Sequence, residues 1–409
     1  MADAGTPEID AGPGEADGGF MESDGGGPYP APFPAPPQIL NLGGTVLSSP
    51  LFVPIFFSND DMQFVAQLEA FYAAIGDSSY WQTIGADYGV GPATAFAPIV
   101  LDQAAPSNID DGSPTSGLEG LLATAISEGA VPPPAPGTLY CLNFPSTTTI
   151  TEGQLTSCGG FNGFGGYHSD MVLQDGTYVS YAVMPHCSGN GFSDIDNMTS
   201  SASHELIEAT TDALPSLSPA WSTLDEEDTF WEDASGGAEV ADMCQANLQA
   251  YLQITLGGTS YVVQRVWSNS AAAAGHDPCV PDFHGEVFFN AVPDIHEMID
   301  YPTFGGSIPV RGVHIPVGQI GIVTLDLYSD APFAPWTIQV LDNNTIMGLS
   351  PNITFTLDKS MGQNGDRIRL TIQPMHAGQG NIDFYYVNSV TGTGQNQITN
   401  YWVGVIGEQ

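Results

Sequence analysis

The 409-residue chain is long enough for two or three domains with real cores. Its formal charge of −41 comes from 46 acidic residues against 5 basic ones, an ordinary share of acids, so cations are missing rather than anions in excess. That balance excludes nucleic acid and anionic membrane surfaces, whose phosphates would be repelled, and it attracts divalent cations.

Residues 1–37 are almost wholly Gly, Pro, Ala, Asp and Glu, as in DAGTPEIDAGPGEADGG and PYPAPFPAPP. So little apolar area cannot offset the entropy of ordering, and the segment reads as a disordered acidic tether. Spacers of this kind follow the lipid anchor of bacterial surface lipoproteins. The sequence opens without a signal peptide, as a mature or trimmed chain would, and no apolar run is long enough to span a bilayer. The expected location is extracellular or at the cell surface.

A first domain is expected over residues 38–282. LFVPIFF (51–57) reads as a buried strand. DMQFVAQLEAFYAAIG (61–76) reads as a helix with Phe64, Leu68, Phe71, Tyr72 and Ile75 on one face. APIVL (97–101), TLYCLNF (138–144) and TYVSYAVMP (177–185) are further strands, and SGLEGLLATAISEGA (116–130) is a helix stopped by Gly129 and the prolines at 132–134. Strands alternating with helices imply an α/β layer domain. Asp194 or Asp196 then offers an N-cap for a helix through 201–213, ended by Pro215. YLQITLGGTSYVVQRVW (251–267) reads as a hairpin around Gly257-Gly258. From 283 to 409, short β-rich runs alternate with Gly, Asn, Asp and Pro, the pattern of an all-β sandwich of immunoglobulin-like type. That module holds no reactive constellation and reads as an accessory domain for adhesion, spacing or substrate presentation.

The chemistry concentrates at SASHELIEATTDAL (201–214). His204 and Glu208 stand at i and i+4, on one helix face, and can bind one metal ion together. Glu205, at the edge of that face, can act as general base on a metal-bound water. This is the logic of the His-Glu-x-x-His zinc helix with a carboxylate in place of the second imidazole, and it implies a zincin-like layer domain. The segment DEEDTFWEDASGGAEVADMC (225–244) offers Glu232, Asp233, Glu239 and Asp242 as third ligands. GGFNGFGGYHSD (159–170) presents Tyr167 and His168 on a Gly-rich loop. A relaxed match, HEMID (296–300), lies among β-rich sequence and is read as chance.

SHELIEATTD followed by EVADMC resembles a signature of uncharacterised bacterial exported proteins, with partial similarity to the plant phosphate-induced (exordium) proteins. The pattern comprises Gly166–Ser169, Tyr181–Val183 with Cys187, Ser203–Asp212, Glu239–Cys244, and Trp267–Asn269 with Cys279, and spans about residues 40–282. One departure is Ala213, where the family has proline. The family's protease-like label rests on this same helix, so the resemblance implies a metallohydrolase of His-Glu-x-x-Glu type.

The resulting expectation is an exported zinc-dependent peptidase-like hydrolase acting on protein or peptide. His204 and Glu208 are its ligands, and Glu205 its general base. Asp242 or Glu239 is the third ligand. His168 or Tyr167 stabilises the oxyanion, or His168 itself binds the metal. The alternative is a catalytically silent surface or extracellular-matrix component with an adhesive sandwich, collecting Ca²⁺ on its anionic surface. Five cysteines without a C-x-x-C pair suit two disulfides and one thiol. The pairing expected is Cys158–Cys187 and Cys244–Cys279, which would tie the flanking loops to the metal helix, with Cys141 free in its apolar strand.

Overall fold

All seven residues of the strand Thr138–Phe144 are buried. A strand so placed needs apolar residues on both faces, and TLYCLNF supplies them. Its neighbours run parallel on either side. Val53 of Leu51–Phe57 lies opposite Tyr140, and Ala182 of Tyr178–Pro185 lies opposite Cys141. Thr94–Ala95 and Ile99–Leu101 extend the sheet beyond Leu51–Phe57. The other edge is Tyr167–Val172, antiparallel to Tyr178–Pro185. The computed structural model describes residues 27–160, 163–189, 191–303 and 306–408, which form mixed α and β structure.

Side chains alternate across this sheet. Val53, Ile55, Phe57, Tyr140 and Leu142 pack on one face with Leu118 and Leu122 of the helix Gly117–Ser127. Phe52, Phe56, Leu139 and Cys141 point the other way, toward the helices Met62–Ile75 and Asp194–Thr211. In Met62–Ile75, Val65 takes the buried place expected for Phe64. Phe64 is half-buried instead and stacks on His186, ring centroids 4.1 Å apart.

The long helix starts earlier than expected. Its cap is Ser193, whose side chain accepts from the Asp196 N–H, and it ends at Asp212 rather than at Pro215. It is polar in composition yet buried along most of its length. Its hydroxyls make that possible by donating back to carbonyls: Ser203 to Ser200, and Thr210 and Thr211 to Ile207. Others bind the hairpin Tyr251–Leu256 and Thr259–Gln264 laid over it. Thr199 donates to the Val262 carbonyl, and the Ser203 hydroxyl accepts from the Gln264 N–H at 2.9 Å. The hairpin turns at Gly257 and Gly258, both at positive φ.

The β-rich sequence after residue 282 folds into strands. Phe289–Pro293, Gly321–Ser329, Arg367–Pro374 and Ile353–Leu357 make one antiparallel sheet. Trp336–Asp342, Ile382–Thr391 and Ile398–Gly407 form the centre of a second. Rings from both meet between them: Phe289 with Trp336, and Phe355 with Tyr385. A hairpin that the sequence reading lacked, Met298–Thr303 with Gly306–Arg311, occupies the HEMID region. His296 is exposed beside Asp294 and lies on no helix, as expected for a chance match.

The tether needs correction. Residues 28–37 were expected within it, but they pack against the C-terminal sheets. Phe33 stacks on Tyr328 at 4.3 Å, and Asn364 bonds both the Ala31 N–H and the Pro28 carbonyl. A proline-rich segment has little entropy left to lose, so one aromatic anchor and a few hydrogen bonds hold it. Residues 1–26 of the expected tether lie outside the described residues. The disulfides are Cys158–Cys187 and Cys244–Cys279, with Cys141 free and buried. No helix among the described residues is long and apolar enough to cross a membrane.

Candidate metal centre

The long helix brings His204 and Glu208 together as the i, i+4 spacing requires. His204 Nε2 lies 3.0 Å from Glu208 Oε2. Asp242, at the first turn of the short helix Asp242–Gln245, adds Oδ1 at 3.5 Å from the same nitrogen. These are the separations of ligands around one ion at bonds of about 2.0–2.2 Å. One donor atom each from His204, Glu208 and Asp242 lies within 4.8 Å of the others.

Each of the three is held by a second partner. Glu208 turns Oε1 to the backbone N–H groups of Ala241 and Asp242, both at 3.0 Å, and leaves Oε2 facing His204. His204 Nδ1 meets Gln264 Oε1 at 3.1 Å. Gln264 Nε2 donates to the Ala241 carbonyl at 2.7 Å, which fixes the orientation of the amide. Nδ1 therefore carries a proton, and Nε2 is the nitrogen that faces the carboxylates, where it could bind an ion once its own proton is released. Asp242 Oδ1 accepts from Gln245. A Cβ on Gly237 would come within 1.8 Å of Asp242 Oδ2, so only glycine leaves that carboxylate its place.

Glu205 is buried and lines a cleft of about 650 Å³, together with His204, Asp242, Phe164, Phe192 and Tyr251. The cleft opens beside the Gly163–Gly166 segment. Gly166 approaches Glu205 so closely that a Cβ there would lie 2.6 Å from Oε1. Across the helix face, His168 Nδ1 stands 3.8 Å from Glu205 Oε2 and 3.9 Å from Glu208 Oε2.

The electrostatics follow from five carboxylates and two imidazoles in a buried place. Burial disfavours charge on His168, but Glu239, Glu205 and Glu208 outweigh it and hold its pKa well above the usual histidine range. His204 is raised in the same way by Glu208, Glu205 and Asp242. Burial pushes Glu205 up. It pushes Asp242 up to about 8, with Glu208 adding to the effect. Burial acts on Glu208 too, but His204, His168 and the Asp242 N–H together bring it below the ordinary value. A dication would supply the counter-charge this cluster lacks, and one imidazole with two carboxylates is a donor set that zinc accepts.

Several expected positions change. His168 lies on the edge strand Tyr167–Val172 rather than on a loop, and it does join the cluster. Tyr167 does not. Adjacent strand residues face opposite sides, and the Tyr167 hydroxyl donates to Asp111 at 2.8 Å on the far face, so it cannot serve as an oxyanion donor here. Asp242 completes the set with His204 and Glu208, whereas Glu239 stands with His168 and Asp212. Glu232 accepts from Thr223, and Asp233 accepts from the Tyr301 hydroxyl; neither enters the cluster. The sequence reading missed Gln264 and Asp212. A polar residue ending the apolar run YVVQ was the available signal for Gln264.

No family model matches the chain, and no curated protein matches it significantly.

Proposed function

We propose that this chain is an exported metal-dependent hydrolase of peptidase-like type, with zinc the best-fitting ion. The observation that carries the reading is the convergence of His204 Nε2, Glu208 Oε2 and Asp242 Oδ1 beside a buried glutamate and an open cleft. His204, Glu208 and Asp242 would hold the ion. When bound, zinc lowers the pKa of a coordinated water and polarises a carbonyl. Glu205 accepts the proton of the attacking water and returns it to the leaving amine. Burial raises its pKa, which makes it a stronger base than an exposed carboxylate. Phe164, Phe192 and Tyr251 give the cleft an aromatic lining for substrate side chains, which favours a peptide chain as the occupant. His168 turns Nε2 away from the cleft toward Glu239, so it orients carboxylates rather than receiving the oxyanion.

The fold supports this reading at a coarser level. We take the sheet-and-helix layer as zincin-like because its central helix carries the ligand pair. The C-terminal pair of sheets is taken as an immunoglobulin-like accessory module, since the metal-compatible clusters of the described residues all lie outside it. Export fits two disulfides, which persist in oxidising compartments.

The test is metal analysis of protein purified without chelators, followed by the variant Glu205→Gln. Near-stoichiometric zinc, retained in a variant that no longer cleaves a peptide library, supports the enzyme. Less than about a tenth of an equivalent of any transition metal ends it. The chain would then be the catalytically silent surface component, with calcium as the remaining cation.

A further inference from the structure

We propose that His168, Asp212 and Glu239 form a second divalent-cation site, separate from the set built on His204. The two donor sets share no residue, although they adjoin: His168 also stands in a cluster with Glu205 and Glu208, its Nδ1 3.9 Å from Glu208 Oε2.

Three segments of the chain meet there. His168 comes from the sheet edge, Asp212 caps the long helix at its C-terminus, and Glu239 precedes the short helix. One donor atom of each lies within 4.8 Å of the others. Two of these donors are stranded. The His168 side chain is 5% exposed, and its Nε2 has no hydrogen-bond partner among the described residues. Asp212 is fully buried; its Oδ1 accepts from the Ala220 N–H at 2.7 Å, while its Oδ2 has no partner in hydrogen-bond geometry, with the Ser222 hydroxyl and His168 nearby. Buried polar atoms left without partners are rare, and two on residues of one cluster require an explanation.

The simplest alternative is an ion pair between His168 and Glu239. Their closest atoms are 3.3 Å apart, yet the contact lacks hydrogen-bond geometry. An ion pair between those two would also leave Asp212 with only the Ala220 N–H in hydrogen-bond geometry. Two ligands of one ion, by contrast, point at the ion and not at each other, and stand about 3.2–3.5 Å apart. Charge argues the same way. Glu205, Glu208, Asp212, Glu239 and Asp242 share this place, and the first 264 residues contain no Lys or Arg. In the protonation state that ligation requires, with both imidazoles neutral and all five carboxyls ionised, one dication leaves a formal charge of about −3 and two leave about −1. One nitrogen and two oxygens suit zinc or manganese better than calcium, which takes an all-oxygen shell.

The test is a zinc titration of metal-stripped full-length protein by calorimetry, with the bound metal counted by native mass spectrometry. Wild type should take two equivalents. Glu239→Gln should lose one and keep the other, and His204→Ala should show the converse loss. Glu239 is partly exposed, so its variant is expected to fold, and circular dichroism checks that. If Glu239→Gln binds as much zinc as wild type, or if wild type takes one equivalent that only His204→Ala removes, the second site is wrong and the hydrolase reading stands. If the one equivalent is lost only in Glu239→Gln, the second site stands and the His204 set fails. If wild type binds no zinc, both fail.

Discussion

His204 and Gln264 meet across the junction of helix and hairpin, Nδ1 to Oε1 at 3.1 Å, and the amide nitrogen of the same glutamine donates to the Ala241 carbonyl. One buried side chain thus sets the tautomer of the imidazole and also positions the backbone that carries Asp242. Outer partners of this kind are worth about 10–100-fold in metal affinity. Gln264→Leu should therefore weaken zinc binding by that factor, measured by competition with a chromophoric chelator. It should also cost about 1–3 kcal/mol of stability, because His204 Nδ1 loses its acceptor and the Ala241 carbonyl keeps only the Cys244 N–H. A folded variant with wild-type affinity would show that Gln264 has only a packing role.

The metal-free protein should become less stable as pH rises. Asp242 is pushed by burial, and then by Glu208, from 3.8 up to about 8. Between those values the folded state holds a proton that the unfolded state has released, so stability falls across that window as pH increases. Burial raises Glu205 and Glu239 in the same sense, while the lowered Glu208 opposes them. Self-repulsion in a chain of charge −41 adds to the fall. Zinc should reverse the trend, because its ligands must be deprotonated to bind. Melting curves at about pH 5 and pH 8, with chelator and with zinc, make the comparison. A chelated protein that melts higher at the alkaline end contradicts the account.

The two disulfides should have different functional weight. Each closes a loop, with separations of 29 and 35 residues. The chain-entropy model gives each about 3–4 kcal/mol, so stability alone should not distinguish their removal. Position should. Cys244 lies in the short helix begun by Asp242, whereas Cys187 lines the cleft and is bridged to Cys158, whose N–H donates to the Phe164 carbonyl. Replacing Cys244 and Cys279 by serine should weaken zinc binding. Replacing Cys158 and Cys187 should leave zinc affinity unchanged while raising KM for a peptide substrate. Equal zinc affinities in the two double variants would remove the link between the Cys244 bridge and the ligand set.

What the sequence made legible follows from how local each signal is. LFVPIFF and TLYCLNF declare their strands, because a strand buried on both faces must be apolar throughout. His204 and Glu208 declare a shared face, because helix spacing is fixed by the backbone. Tyr167 was misplaced because the glycines before it concealed a period-two strand, in which Tyr167 and His168 must diverge. Asp212 was illegible for a different reason. An aspartate at a helix end is an ordinary terminal residue, and only the tertiary fold brings it beside His168. Residues 28–37 share the tether's composition, and nothing local distinguishes a proline segment with a docking partner from one without.

Gly166 has no positive φ to explain it and precedes the strand carrying His168. A methyl group at this position would lie 2.6 Å from Glu205 Oε1, 2.7 Å from Cγ and 2.9 Å from Cδ. Every one of these atoms belongs to the side chain of Glu205, so the backbone need not move; the carboxylate must. The ligand atoms of His204, Glu208 and Asp242 are outside the clash. Gly166→Ala should therefore leave zinc stoichiometry intact and change stability by less than about 1–2 kcal/mol. Hydrolysis should fall by about 10²-fold or more, because a general base displaced by an ångström no longer reaches its water. The loss should appear in kcat rather than KM, since the aromatic lining of the cleft is untouched. Retention of full activity by a folded, zinc-loaded Gly166→Ala protein would mean that the position of Glu205 does not matter to the chemistry, and the role of Glu205 as general base would have to be abandoned.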